Sequence, residues 1–206
     1  MLTSFALAAD ITFEPYPSDF AMLQIYEMPV EGGGDTLWAS AYEAYDRLTP
    51  AYQSFIEGLT AINDGNGFHQ RAKILGIECY ADERGHPHNK GSDLSTVHPV
   101  VRTNPVTGWK GLFVNKAFTK RIVELSPDES EQVLSYLFRV VADNHDLQVR
   151  FKWKSNDLAI WSNTSSFHTV TVDYTSDRNG NRAVSLGERP FLDLNSVSRR
   201  EALGLN

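Results

Sequence analysis

The chain of 206 residues has a single cysteine, Cys79. An internal disulfide and a cysteine-rich zinc site are therefore both excluded. Basic side chains are also scarce, with 19 Lys and Arg against 26 Asp and Glu and a formal net charge of −7. Proteins that bind nucleic acid by neutralising phosphates need the opposite balance, so no nucleic-acid partner is expected. No run approaches the roughly 20 apolar residues of a membrane span, and no membrane partner is expected either. The opening MLTSFALAA is mildly apolar but lacks the basic residues that begin a signal peptide. A cytoplasmic protein is the expectation. Walker, GxGxxG, GxSxG and HExxH patterns are missing. Gly32-Gly33-Gly34 has no lysine after it and precedes Asp35, so it reads as a turn needing positive φ rather than a phosphate cradle.

What remains is an ordinary globular composition, 41% hydrophobic and 22% charged, long enough for a sizeable core. Residues 8–13 alternate, which predicts a strand with Ala8, Asp10 and Thr12 on one face. Leu23 to Met28 predicts another strand, closed by Pro29. Trp38, Tyr42, Tyr45 and Leu48 stand at helical spacing. Thr49-Pro50 reads as a cap opening a second helix to about Leu59. Residues 63–95 are polar and rich in glycine and histidine, a functional loop or a disordered one. Strands resume at 99–102 and 111–114. Ser126-Pro127-Asp128-Glu129 opens an amphipathic helix to about Ala142. The last third predicts strands at 148–154, 158–161, 168–174 and 183–186, with Asn179-Gly180 as a hairpin turn. Many strands around a helical insertion predict an α+β protein, a sandwich or jelly roll with helices outside.

Five phrases far apart in the chain carry a more specific signal. They are DITFEPYPSDFAML from Asp10, GGDTLWAS from Gly33, HPVVRTNPVTGWKGLFVN from His98, QVRFKWKSNDLAIWSN from Gln148 with the FH of His168, and DYTSDRNGNRAVSLGERPF from Asp173. In this order they resemble the taurine dioxygenase family of Fe(II)- and 2-oxoglutarate-dependent oxygenases, over almost the whole chain from Asp10 to about Leu203. The resemblance implies a double-stranded β-helix, or jelly roll, with helical insertions. It implies Fe(II) as cofactor, 2-oxoglutarate as cosubstrate, molecular oxygen, and a small sulfonate or related organic acid as substrate. A homo-oligomer stays open. Family members carry a substantial portion before their first metal-binding strand, whereas the likeness here begins at Asp10. Residues 1–206 are therefore expected to form a single, incomplete oxygenase domain whose N-terminal strands are missing and whose sheet edge is exposed.

The family's metal site is a facial triad, His-x-Asp on one strand and a distant His. Here the carboxylate matches Asp10 and the distant imidazole matches His168. Position 8, where the first imidazole should stand, is Ala8, and a methyl group ligates nothing. Thr36 matches the threonine beside the 2-oxoglutarate carboxylate, Arg182 the arginine that grips its far carboxylate, and Arg178 a second arginine near the cosubstrate. Ile11 and Phe118 match positions lining the substrate pocket. The family's WDNR is Trp161-Ser162-Asn163-Thr164 here, which removes a charged pair before His168 and predicts a looser site. Without the resemblance, His168 and Asp10 would read as structural residues of a strand, and Arg178 and Arg182 as solvated charges. The histidines at 69, 86, 88, 98 and 145 offer a replacement ligand in principle. Two functions follow from these residues: a sulfonate oxygenase impaired by Ala8, or a non-catalytic relative that binds an organic acid or a protein partner.

Overall fold

The structure, a computed structural model, describes residues 7–205. Its strands form small antiparallel sheets. β1 (Ser18–Glu27) is the centre of the first, flanked by β11 (Asn179–Leu186) and β9 (Asp157–Ser162). β2 (Thr36–Ser40) is the centre of the second, between β10 (Ser166–Val170) and β8 (Gln148–Phe151). Trp161 of β9 meets Trp38 of β2 with ring centroids 5.5 Å apart and His168 of β10 at 5.0 Å. The two sheets thus face each other across an aromatic interior. A third sheet joins β3 (Thr60–Asp64), β4 (Ser95–Pro99) and β7 (Thr119–Ile122), and β5 (Val101–Thr103) pairs with β6 (Lys110–Leu112).

Helices pack outside these sheets. α4 (Pro127–Ala142) begins where the sequence predicts, with the Ser126 hydroxyl accepting from Glu129 N and the Glu129 carboxylate accepting from Ser126 N. Such a cap contributes about 1 kcal/mol. Leu134, Leu137, Val140 and Val141 form its buried stripe, each worth roughly 1.5–3 kcal/mol of burial. α2 (Pro50–Ile56) likewise starts at its Thr49 cap. No helix among the described residues is long and apolar enough to cross a membrane.

Four expectations need correction. Residues 8–13 are not a strand: Ala8 makes one bridge to His168, and residues 10–13 turn. The turn closes because Glu14 N donates to the Ile11 carbonyl at 2.9 Å, with Ile11 at φ 45°. That region is costly for a β-branched residue, so tertiary contacts must hold it. The helix expected from Trp38 starts only at Ala41, where α1 (Ala41–Asp46) is capped by Ser40; Thr36 to Ser40 pair on both sides as β2. Asn179-Gly180 is not a hairpin turn. Neither residue takes the positive φ such a turn needs, and both lie inside β11 against β1. A Cβ on Gly180 would collide with the Gln24 carbonyl oxygen, so the glycine permits close backbone approach.

Residues 63–95, lastly, are not disordered and are a loop only in part. They contain the end of β3, the helix α3 (Gly67–Ile74) and a stretch pinned by Asn89. The fully buried Asn89 side chain accepts from Tyr16 N at 3.0 Å and donates to the Tyr16 carbonyl at 2.8 Å.

Candidate active site

Ala8 and His168 exchange both backbone hydrogen bonds, at 2.9 and 2.8 Å, so their side chains stand opposite each other on one face. His168 in turn pairs with Trp38, and Val170 with Thr36. Position 8, His168, Trp38 and Thr36 therefore all point to the same side of the β2 sheet.

The turn after Ala8 brings Asp10 to His168, with Oδ1 3.5 Å from Nε2. Asn163 fixes the carboxylate. Its Oδ1 accepts from Asp10 N at 3.2 Å, and its Nδ2 donates to Asp10 Oδ2 at 3.1 Å and to Ser18 Oγ at 3.0 Å. Sequence reading missed this role. The only signal was a lone carboxamide in the turn that leads to a candidate ligand. Its neighbours are not loosened by the missing charges: Ser162 and Thr164 share a hydroxyl hydrogen bond at 2.7 Å, and Asn104 Nδ2 donates to Thr164 at 2.8 Å. Neutral hydrogen bonds replace the ion pair.

Arg182 completes this group. Its Nη2 forms an ion pair with Asp10 Oδ2, lies 3.5 Å from His168 Nε2, and its guanidinium covers the Trp161 ring at 5.5 Å. Burial pushes the His168 imidazole toward its neutral form; Asp10 opposes this and Arg182 adds to it. Its Nδ1 is buried without a partner.

A second group gathers around Trp153. The indole N–H donates to Thr36 Oγ1 at 2.9 Å, and the Arg178 guanidinium lies 5.9 Å from the ring centroid. Gly34, at φ 67°, makes room for it: a Cβ there would meet Arg178 Nε at 2.6 Å. Among the described residues Arg178 Nε and Nη2 are buried with no hydrogen-bond partner, and burial pushes its pKa below the usual arginine value. Arg178 and Thr36 thus share Trp153, whereas Arg182 lies against Asp10.

The two candidate pocket residues lie on or against the turn of residues 10–13. Ile11 follows Asp10 in the turn, and Phe118 packs with Phe13 of the same turn at 5.1 Å and with Phe68 at 6.2 Å. A cavity of about 850 Å³ lies elsewhere, between α4 and the opposite face of the β2 sheet, lined by Leu7, Leu37, Leu134, Phe138 and Thr169.

Residues 2–185 match the family described as "Taurine catabolism dioxygenase TauD, TfdA family". The chain belongs to that family. It is 46% identical over 199 residues to an alpha-ketoglutarate-dependent dioxygenase of Aspergillus oryzae, covering 95% of this chain and 58% of that protein. It is 34% identical to an alpha-ketoglutarate-dependent sulfonate dioxygenase of Saccharomyces cerevisiae, covering 90% of this chain and 43% of that one. A crystal structure of a putative alpha-ketoglutarate-dependent taurine dioxygenase from Burkholderia xenovorans superposes with a TM-score of 0.73 at 30% identity, over 89% of this chain and 57% of that chain. The antiparallel sheets are accordingly those of the family's jelly roll. The chain spans well under two thirds of each of these relatives.

The family implies 2-oxoglutarate and Fe(II), and the donor set here meets only part of that requirement. Asp10 and His168 are in place, but among the described residues no three His, Cys, Asp or Glu side chains come together. The other histidines do not replace the missing imidazole. His98 Nε2 is taken by the Glu14 carbonyl at 2.9 Å, His69 by the Ser92 carbonyl at 2.6 Å, and His86 stacks on Tyr16. Two protein donors do not fit a three-ligand facial site.

Proposed function

We propose that the chain binds a 2-oxo dicarboxylate, 2-oxoglutarate in the first place, with Arg178 and Thr36, and that it is an oxygenase of the sulfonate type whose oxidative step is impaired by Ala8. The observation that carries this is the Arg178 side chain. A guanidinium with buried, unfilled Nε and Nη2 donors is costly unless an acceptor arrives. A carboxylate matches that fork in charge and geometry. Thr36 Oγ1 already accepts from Trp153, which leaves its own proton free to donate to the same carboxylate. The sulfonate class rests on relatives such as the Saccharomyces cerevisiae enzyme.

The second reading, a binding protein without turnover, is favoured by the Arg182–Asp10 ion pair, which occupies one of the two remaining metal donors. Calorimetry with 2-oxoglutarate and succinate release with Fe(II) and taurine separate the two readings. Binding that Arg178→Gln weakens, with slow but measurable succinate formation, supports the impaired oxygenase. Binding with no succinate at all supports the binding protein. Native affinity for 2-oxoglutarate in Arg178→Gln overturns the assignment of the carboxylate site.

A further inference from the structure

The crossover from β10 to β11, residues 171–178, ends in Arg178, and positions 172, 173, 175 and 177 within it are exposed. Burial therefore holds it weakly, and polar contacts to residues 28–35, the loop before β2, take that role. Glu31 supplies four of them. Its carboxylate accepts from Thr175 Oγ1 and Ser176 N, both at 2.9 Å, and from Thr175 N and Ser176 Oγ. A carboxylate has about four acceptor positions, and here four donors meet them. The Ser176 hydroxyl and the Thr175 and Ser176 amides hold the Glu31 carboxyl well below the usual carboxylate range, so it stays ionised. Beside it, Val30 N donates to Ser176 Oγ and Gly34 N to Asp173 Oδ1, both at 2.9 Å. A Cβ on Gly33 would stand 2.7 Å from the Asp173 carbonyl oxygen, so the two segments meet backbone to backbone.

These contacts bracket Arg178. Ser176 stands two residues before it, and Glu31 three residues before Gly34, the wall against which its Nε rests. Among the described residues no acceptor holds Arg178 Nε or Nη2, so the guanidinium is aimed by the Trp153 ring and by where the two backbones lie. We propose that Glu31 is a positioning residue for the carboxylate site: it clasps the crossover to the loop before β2 and so holds Arg178 over Trp153 before any ligand arrives. This rests on the reading of Arg178 and Thr36 as that site. A guanidinium already in place loses less freedom when a carboxylate binds, which is where the affinity is gained.

The experiment is calorimetry with 2-oxoglutarate on the native chain, Glu31→Gln, Arg178→Gln and the double variant. A carboxamide has one acceptor oxygen in place of two and cannot meet all four donors. If that leaves the clasp open in nine molecules of ten, Glu31→Gln should bind about ten-fold more weakly, because apparent affinity scales with the competent fraction. In the Arg178→Gln background the same change should cost nothing further, since Glu31 acts only through Arg178. A merely structural role would give the same loss in both backgrounds. Ser176→Ala removes one of the four donors and should show a smaller loss in the same direction; it decides the matter if Glu31→Gln folds poorly. Native affinity in a folded Glu31→Gln or, failing that variant, in Ser176→Ala overturns the proposal, and so does an equal loss in both backgrounds. Native affinity in Arg178→Gln would instead remove the carboxylate site itself, and the clasp with it.

Discussion

Asn163 holds Asp10 at both ends, its side-chain oxygen on the Asp10 amide at 3.2 Å and its side-chain nitrogen on the carboxylate at 3.1 Å. The two residues lie 153 positions apart, so this clamp joins the entry of the chain to the strand before His168. It also offsets the strain of the turn, where Ile11 sits at φ 45°.

Asn163→Ala should therefore cost more than an average polar substitution. It leaves the Asp10 amide without a partner and takes a donor from both the Asp10 carboxylate and Ser18 Oγ, and roughly 2 kcal/mol of stability should be lost. Urea denaturation of the two proteins measures this directly. A loss within about 0.5 kcal/mol, the range of an ordinary surface change, would show that Asn163 does not support the turn.

Arg102 offers a test of the core. Its side chain is 2% exposed, pairs with Glu188 and lies over the Phe113 ring at 4.7 Å. Burial pushes its pKa down and Glu188 pulls it back. Glu188→Gln should destabilise by about 3 kcal/mol, because the guanidinium then stays buried without its counter-charge. A melting temperature equal to that of the native protein would contradict this.

His98 should impose a pH dependence on stability. Burial holds its pKa down to about 4, against the hydrogen bond to the Glu14 carbonyl and with some help from Arg102. Unfolding returns it to about 6.5. Between these values the unfolded chain binds a proton that the folded chain refuses, so stability is full above pH 6.5 and falls as pH drops toward 4. The loss attributable to His98 is about 3 kcal/mol at most. His168 shifts in the same direction, so the difference between native and His98→Gln isolates the His98 part. Parallel stability curves for the two proteins from pH 4 to 7 would remove it.

What the sequence made legible was local. The Ser126 capping box and the Thr49-Pro50 start announce α4 and α2 because their determinants lie within one turn of chain. Strand partners do not announce themselves. Asn179-Gly180 has the composition of a hairpin, but β10 pairs with β2 and β11 with β1, so the chain crosses between sheets there. Trp38 has helical spacing to Tyr42 and Tyr45, yet pairing on both edges of residues 36–40 overrides it. At the site, family resemblance brought out Asp10, His168, Thr36 and both arginines. What each arginine packs against, Gly34 for Arg178 and Trp161 for Arg182, depends on a one-residue slip in the crossover that local sequence does not show. Asn163 stayed hidden because its partner lies at the other end of the chain.

Under the proposed function, position 8 is one donor short beside Asp10 and His168. Ala8 pairs directly with His168, so a histidine there projects its imidazole to the face that carries His168. The measurement is succinate release from 2-oxoglutarate with Fe(II) and taurine, comparing the native chain with Ala8→His at equal protein concentration. The native chain should release little or no succinate and Ala8→His at least about ten-fold more, in line with the effect of restoring a metal-site partner. Robust succinate release by the native chain, unchanged in Ala8→His, would contradict it.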